Sequence, residues 1–378
     1  MPKRSDLRIV HIGAGRYRPG DREHVTYGIW RELACGFGHY HAIGRSESRP
    51  AEWTDGNLTV TLVRSFTKRE LEFFATQFCL VRKIAAEQPD AIICQSPVLG
   101  GFAAIVTAHL TGARVLSEFH GAEFFTDAPL GSRDWLLQRL AYFVLKRSAV
   151  IRVLSPRMRQ RLGITYGPDQ LHKAKVLPPR VNLARFCAQR GKRRSGHALR
   201  LAMVGSVNSN KGQMRLIRAL EKIPFRADLH IVGSGPDLEA VRDQSRRLSS
   251  ERSNLTVTLH GTLDHASVVS VLQKCDALVM YSLSEGTPRA MMEAMSVGLP
   301  VISTDVGFCA DLFEHGREGF LLGDEPDKEV VGFLRLLHED RARSRSMGNA
   351  ARSRARRDFD SVKLFEAYRR LIEETASR

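Results

Sequence analysis

The most informative stretch of the chain is Y-S-L-S-E-G-T-P-R-A-M-M-E-A-M-S-V-G-L-P-V-I-S-T-D, residues 281–305. Glu285 leaves a predicted strand and enters a Gly-Thr-Pro turn, after which a helix carries Glu293 two turns in and ends at Gly298. Pro288 suits the first helical turn, whose free backbone amides can bind an anion or a hydroxyl group. Carboxylates at such a junction can accept strong hydrogen bonds from sugar hydroxyls. Alternatively, Glu285 caps the helix and Glu293 is a solvated helix residue.

Two stretches upstream repeat the same plan of strand, glycine turn and helix. The first, L-R-L-A-M-V-G-S-V-N-S-N-K-G (199–212), places Lys211 directly before a helix. A lysine at a helix N-terminus can bind a diphosphate through its charge and the helix amides, although a loop lysine is more often only solvated. The second, L-H-I-V-G-S-G-P-D-L-E (229–239), contains Gly233 and Gly235 and resembles a dinucleotide fingerprint, which by itself is a weak signal.

Short β-branched runs alternate with helix-length segments along the chain, a pattern typical of β-α-β units and parallel sheets. A basic segment of small residues, 187–198, has the composition of a linker. We therefore predict an α/β fold with two Rossmann-like domains facing across a cleft, where parallel sheets bind their ligands. The predicted domains are residues 1–187 and 188–360, followed by a helix over 361–378 that packs back on the first domain. The predicted strands are 7–12, 58–63, 91–94, 114–119 and 149–154 in the first half, and 199–204, 228–232, 255–260, 277–281 and 300–303 in the second.

Composition limits the class of protein. The chain has 378 residues, of which 43% are hydrophobic, enough for two cores and too many for a disordered chain. Its net charge of +16 is uneven, because residues 1–190 carry 28 basic and 16 acidic side chains (+12) and the remainder carries 29 and 25 (+4). A basic half indicates a polyanionic partner, such as nucleic acid, an anionic membrane surface or a phosphorylated ligand.

Compartment signals favour the cytoplasm. The six cysteines include no C-x-x-C pair, which indicates a reducing compartment and no zinc ribbon. The N-terminal apolar run is too short for a signal peptide. The longest uncharged stretch, 91–113, contains Pro97 and a Gly-Gly pair, and we predict a strand, a turn and a buried helix there instead of a membrane span.

Taken together, the order and spacing of these segments resemble the retaining glycosyltransferases of family four, the large group-one family with the GT-B fold. Glu285 and Glu293 match that family's E-x7-E motif, followed by G-L-P-V-I. The stretch V-G-S-V-N-S-N-K-G resembles the donor-phosphate loop, V-T-L-H-G the base-binding turn, and H-G-A-E (120–123) the histidine motif beside the transferred sugar. The resemblance covers nearly the whole chain.

This resemblance implies roles for individual residues. His120, Lys211 and Glu285 would be catalytic: Lys211 would stabilise the leaving diphosphate, and Glu285 would face the donor sugar. Glu293 would bind the nucleotide ribose, and His120 would contact the sugar or acceptor from the acceptor-side first domain. The reaction would be metal-independent and would need no cofactor beyond the nucleotide-sugar substrate. The residues implied in donor binding are Gly20, Gly205, Lys211, Gly233, Gly235, Gly261, Glu285, Gly286, Thr287 and Glu293.

The sequence departs from the family pattern at three places. Ser206 stands where the family usually has an arginine, for which Arg16, Arg18, Arg180 or Arg289 could substitute. Asp21 replaces the second glycine of a first-domain glycine pair, where its charge would repel a diphosphate unless it turns outward. Asn182 replaces the aspartate of a G-V-D triplet.

The resemblance predicts sugar transfer from a nucleotide-diphosphate-sugar to a glycan or lipid-linked acceptor in cell-surface polysaccharide or glycolipid synthesis. A basic helix over 133–147 could contact an anionic membrane surface, or it is an ordinary first-domain helix. One alternative is a nucleotide-sugar epimerase of the same fold. Another is a non-catalytic protein, which either binds nucleic acid or is a donor-blind homologue that does not bind the nucleotide-sugar. No nucleic acid is expected under the leading hypothesis. Asp358-Phe-Asp360 has the D-x-D metal pattern, but we predict that it supplies a helix N-cap.

Overall fold

The computed structural model describes residues 6–22, 24–64, 80–98, 100–119, 132–179, 198–251, 253–285 and 288–378. The chain divides into two compact units. The first unit is Met1–Leu177 together with Phe365–Arg378, and the second unit is Pro178–Leu364. The predicted linker and the predicted boundary at residue 187 lie outside the described residues.

The first unit is built on an eight-stranded sheet with the order β3-β4-β2-β1-β5-β6-β7-β8. Its neighbouring strands pair in parallel except for β3, which is antiparallel to β4 at the edge. The strands are β1 (Arg8–Tyr17), β2 (His39–Ser46), β3 (Ala51–Asp55), β4 (Leu58–Arg64), β5 (Ala91–Cys94), β6 (Arg114–Glu118), β7 (Val150–Val153) and β8 (Ala174–Val176). The helices are α1 (Val25–Ala34), α2 (Gly101–Thr111), α3 (Ser132–Arg147) and α4 (Pro156–Tyr166), followed by a 3-10 turn (Pro168–Gln170).

The second unit has a six-stranded sheet with the order β11-β10-β9-β12-β13-β14, the arrangement of a Rossmann fold. All of its strand pairs are parallel. The strands are β9 (Leu199–Val204), β10 (Ala227–Val232), β11 (Leu255–Gly261), β12 (Ala277–Met280), β13 (Val301–Thr304) and β14 (Gly319–Leu322). The helices are α5 (Gln213–Leu220), α6 (Leu238–Ser250), α7 (His265–Lys274), α8 (Arg289–Ser296), α9 (Cys309–Leu312), α10 (Pro326–Glu339) and α11 (Arg341–Asp358).

A last helix, α12 (Ser361–Ser377), returns the chain to the first unit. Asp360 accepts hydrogen bonds from the backbone amides of Val362 (2.9 Å) and Lys363 (3.0 Å), so the predicted N-cap is confirmed. Within the first unit, the guanidinium of Arg152 lies 4.6 Å from the centre of the Tyr368 ring. Arg152 Nη1 also donates to Glu118 Oε1 at 2.7 Å, and the Glu118 side chain is 1% exposed.

The predicted α/β class with two Rossmann-like units is confirmed, and all ten predicted strands are present. Four strands were not predicted: β2, β3, β8 and β14. Strand β2 (H-Y-H-A-I-G-R-S) is interrupted by histidines and a glycine, β3 is a half-exposed edge strand, and β8 has only three residues. Among the helices described, none is both long enough and apolar enough to cross a bilayer.

Candidate functional site

Three neighbouring strands of the second unit reach a glycine at their carboxyl ends. Gly205 follows β9, Gly233 follows β10, and Gly261 ends β11. A Cβ on Gly233, where φ is +135°, would overlap the carbonyl oxygen of Gly205, and one on Gly235 would overlap the carbonyl oxygen of Val207. The Gly233 amide donates to the Gly261 carbonyl at 2.8 Å. These turns are therefore packed backbone against backbone, with no room for a side chain at Gly233 or Gly235.

Lys211 lies in the loop between β9 and α5. Its backbone amide donates to the carbonyl oxygen (3.1 Å) and to Oδ1 (3.0 Å) of Asn208, which fixes a turn just before the helix. Gly212 has a φ of +77°, and a Cβ there would overlap the carbonyl oxygen of Tyr281. The lysine thus stands at a helix N-terminus, as the sequence predicted, where its charge adds to the positive end of the helix dipole.

The structure brings Lys211 and Glu285 into direct contact. Lys211 Nζ lies 2.6 Å from Oε1 and 2.7 Å from Oε2 of Glu285, and Ser282 Oγ donates to the same Oε1 at 2.6 Å. Glu285 is 8% exposed. A Cβ on Gly307 would overlap the Glu285 carbonyl oxygen, so the loop after β13 also fixes this residue. Glu285 therefore does not cap the following helix; its carboxylate faces the lysine.

Glu293 lies on α8 and faces α7. Its Oε1 is 3.4 Å from His265 Nε2, and its side chain is 18% exposed. Burial raises the pKa of Glu293, while the charges of His265 and Arg289 oppose the rise. Glu293 is therefore not a solvated surface residue. The C-terminal end of α8 is held in place by Arg352, whose Nη2 donates to the Val297 carbonyl at 2.6 Å.

Two further residues of the second unit, Arg215 and His230, were not identified from the sequence. Arg215 Nη2 donates to the Tyr281 carbonyl at 2.6 Å, and its guanidinium lies 5.3 Å from the Tyr281 ring centre. His230 Nδ1 and His260 Nε2, on adjacent strands β10 and β11, are 3.1 Å apart. The signal for Arg215 was its place on the first turn of α5, four residues after Lys211.

The remaining predicted residues are scattered or undescribed. Gly20, in the first unit, is exposed with a φ of +75°, and Asp21 turns its Oδ1 onto the His24 backbone amide at 3.0 Å. Arg18 forms an exposed ion pair with Glu47 at 3.1 Å. In the second unit, the Ser206 carbonyl accepts a hydrogen bond from Gln213 Nε2 at 3.0 Å. His120, Arg180, Asn182, Gly286 and Thr287 lie outside the described residues.

Comparison with known proteins gives two family matches. The model of Glycosyltransferase Family 4 matches residues 39–185, and the model of Glycosyl transferases group 1 matches residues 189–354. The chain is 28% identical over 265 residues to a GDP-mannose-dependent alpha-(1-6)-phosphatidylinositol monomannoside mannosyltransferase of Mycobacterium tuberculosis, covering 65% of this chain and 66% of that protein. The chain spans only about half the length of other curated relatives that it matches.

Solved structures share the fold. Sucrose-phosphate synthase from Thermosynechococcus elongatus matches with a TM-score of 0.79 at 17% identity, covering 97% of this chain and 98% of that one. The Anabaena protein HepE, in complex with UDP and glucose, matches with a TM-score of 0.74 at 16% identity, covering 97% and 99%.

Proposed function

Because the chain belongs to the group 1 glycosyltransferases, we propose that it moves a sugar from a nucleoside-diphosphate-sugar donor to a glycan or lipid-linked acceptor with retention of configuration. The observation that carries the proposal is the contact between Lys211 and Glu285 at the N-terminus of α5. A lysine there supplies positive charge to a diphosphate, and the carboxylate supplies acceptors for sugar hydroxyls.

Sugar transfer from a diphosphate is helped by positive charge beside the leaving group, which Lys211 supplies. When the bond between the sugar C1 and the diphosphate oxygen breaks, its electron pair stays on the oxygen and negative charge develops there. Lys211 and the amides of the α5 N-terminus stabilise this charge. The acceptor oxygen bonds to C1 on the face that the diphosphate leaves, and the acceptor proton passes to the departing phosphate oxygen. His120 is proposed to contact the sugar or the acceptor.

We assign donor binding to the glycines at the carboxyl ends of β9, β10 and β11 and to helix α8. Gly205 and Gly261 let the donor approach the backbone, because no backbone atom occupies the place of a side chain there, whereas Gly233 and Gly235 are proposed to contribute through the closely packed turns that they form. Glu293 is proposed to accept hydrogen bonds from the ribose hydroxyls. The step is proposed to proceed without a metal.

The donor base is expected to be uracil or guanine. HepE was solved with UDP, and the mycobacterial relative is GDP-mannose-dependent, so both nucleotides are supported by related proteins. A hexose is the proposed sugar, and cell-surface polysaccharide or glycolipid the proposed product.

A membrane surface is the proposed location of the acceptor. On α3, Trp135, Arg139, Tyr142 and Lys146 recur at intervals of three or four residues and are exposed, with Trp135 at 53% and Tyr142 at 43%. Arg139 lies 5.0 Å from the Trp135 ring centre and Lys146 lies 5.9 Å from that of Tyr142. Aromatic rings beside cations on one helix face suit the interface of an anionic bilayer.

Thermal unfolding with UDP, GDP, ADP and their sugars, with and without EDTA, tests donor binding. We expect a shift with one nucleotide that persists in EDTA, since a ligand at 100 times its Kd adds about 2.7 kcal/mol. The shift should be lost in Lys211→Ala and kept in Lys222→Ala, an exposed lysine of the same unit.

Product analysis with that donor then separates transfer from epimerisation. Free nucleoside diphosphate together with a glycosylated acceptor supports the proposal, and an altered nucleotide-sugar supports an epimerase. No shift with any nucleotide contradicts the proposal and favours a donor-blind protein.

A further inference from the structure

Two histidines and a glutamate meet in the first unit. His39 and His41 are two residues apart on β2 and therefore project from the same face of the strand. Glu87 follows the helical segment 80–86. His39 Nε2 lies 3.3 Å from Glu87 Oε2, and His41 Nδ1 lies 3.3 Å from Glu87 Oε1. One ligand atom from each residue can be chosen so that all three lie within 4.8 Å of one another.

The surrounding hydrogen bonds fix the tautomer of His41. The Thr61 hydroxyl donates to Glu52 Oε2 at 2.8 Å and therefore accepts from His41 Nε2, also at 2.8 Å. With its proton on Nε2, a neutral His41 directs the lone pair of Nδ1 at the carboxylate. Glu52 in turn is held by an ion pair with Lys83. A histidine oriented through its other ring nitrogen is the usual arrangement of a metal ligand.

At 3.3 Å, the lone pair of His41 Nδ1 and the facing oxygen of Glu87 repel each other unless a cation lies between them. Neither His39 Nε2 nor His41 Nδ1 forms a hydrogen bond within the part of the chain that the structure describes. The His41 side chain is 1% exposed, so solvent does not separate it from the Glu87 carboxylate.

A metal ion would satisfy all three side chains. In a tetrahedral zinc site with bonds of about 2.0–2.1 Å, neighbouring ligand atoms are about 3.3–3.4 Å apart. Two imidazoles and one carboxylate suit zinc, cobalt or nickel better than magnesium or calcium. We propose that His39, His41 and Glu87 bind a divalent transition-metal ion of the zinc class, with water completing its coordination.

The proposed role of the ion is structural. His39 and His41 lie at the amino end of β2, and the ion would join that strand to the segment 80–86. Arg8 limits the affinity, because its Nη2 lies 3.7 Å from Glu87 Oε2 and its Nε donates to the Glu87 carbonyl at 2.8 Å. The site uses none of the residues assigned to sugar transfer and is independent of that proposal.

Zinc titration of the chelator-treated protein of 378 residues, without nucleotide, tests the site. Competition with a chromogenic chelator should show one zinc per chain, and cobalt should give the visible absorption of a four-coordinate ion. Zinc at 100 times its Kd should raise the Tm by about 5–10 °C. His39→Ala and Glu87→Gln should weaken zinc binding at least 100-fold, and Thr61→Val about tenfold.

Control variants identify the site. His172→Ala removes an exposed histidine of the same unit, and His260→Ala removes one partner of the imidazole pair in the second unit; both should bind zinc as the parent protein does. His39 and Glu87 are used because they are less buried than His41, and circular dichroism verifies that the variants fold. Absence of stoichiometric zinc binding overturns the proposal. Zinc binding that survives in both His39→Ala and Glu87→Gln, or that disappears in His260→Ala, also overturns it.

Discussion

Lys211 Nζ contacts both carboxylate oxygens of Glu285, at 2.6 and 2.7 Å, across 74 residues of sequence. The two residues follow β9 and β12, which are neighbours in the sheet. In the free protein the lysine is thus already neutralised by a carboxylate that is 8% exposed. A diphosphate must compete with Glu285 for this charge.

The competition predicts opposite effects on binding and turnover. Glu285→Gln releases Lys211, so affinity for the nucleoside diphosphate should stay equal or rise up to about tenfold, whereas turnover should fall about 100-fold or more. Isothermal titration and product formation measure the two quantities.

Lys211→Met should lose both donor binding and stability. Lys211→Met combined with Glu285→Gln should regain stability alone, because no charge is left buried. A double variant that regains turnover would contradict the assignment.

The raised pKa of Glu293 predicts that the free energy of unfolding depends on pH. Burial raises its pKa, so the folded protein holds this proton to a higher pH than the unfolded chain does. The stability that this contributes is present at low pH and is lost as the pH rises through the raised pKa. Glu293→Gln should therefore unfold at a higher temperature than the parent at neutral pH.

Glu293→Gln should also lower the affinity for the donor about tenfold or more at neutral pH, because the ribose hydroxyls lose a charged hydrogen-bond acceptor. Its affinity should no longer drop as the pH falls through the raised pKa of Glu293. Titrations at several pH values measure this, with the exposed Glu239→Gln as control. An unchanged pH profile in Glu293→Gln would count against the role of Glu293.

Gly233 packs closely against the backbone of Gly205, which leaves no room for a side chain. In Gly233→Ala the new methyl group would overlap the Gly205 carbonyl, and the expected loss is about 3 kcal/mol or more in the free energy of unfolding. Gly316→Ala is the matched control, since its φ is +82° but no atom lies within 4 Å of the new Cβ. It should cost only about 1–2 kcal/mol. Denaturant unfolding compares them, and equal losses would contradict the close approach of the glycine turns.

Arg152 holds two parts of the first unit together. Arg152→Met removes the cation that pairs with the buried Glu118 carboxylate and removes the guanidinium from the Tyr368 ring, so we expect a loss of about 3–5 kcal/mol in the free energy of unfolding. Glu118→Gln added to it should recover part of the loss. Arg82→Met, at an exposed arginine of the same unit, should change stability by less than about 0.5 kcal/mol. A similar effect of both arginine variants would show that the buried pair is unimportant.

The exposed face of α3 predicts binding to acidic vesicles. Trp135→Ala combined with Tyr142→Ala should weaken sedimentation with phosphatidylglycerol vesicles at least tenfold, because the rings supply the apolar contact. Leu110→Ala with Ile164→Ala, two exposed apolar residues elsewhere in the unit, is the control. Binding that is equal in the two double variants would assign the vesicle contact to another surface.

The sequence predicted those parts of the fold whose signals are local. Apolar runs bounded by glycines located the strands of the second unit, and the turn before Pro288 located α8. The contact of Lys211 with Glu285 could not be predicted in this way, because it depends on β9 and β12 being adjacent. The cluster of His39, His41 and Glu87 was not predicted for a related reason: its histidines also interrupt the apolar pattern of β2.

The first unit is discontinuous, since it is completed by residues 365–378, which follow the whole second unit in the chain. During translation, a ribosome therefore releases every strand of the second unit before the helix that finishes the first. The second unit can fold while the first still lacks the ring that covers Arg152. Nascent chains should consequently carry an incomplete first unit until synthesis passes α12, and this unit is the one exposed to chaperones and proteases.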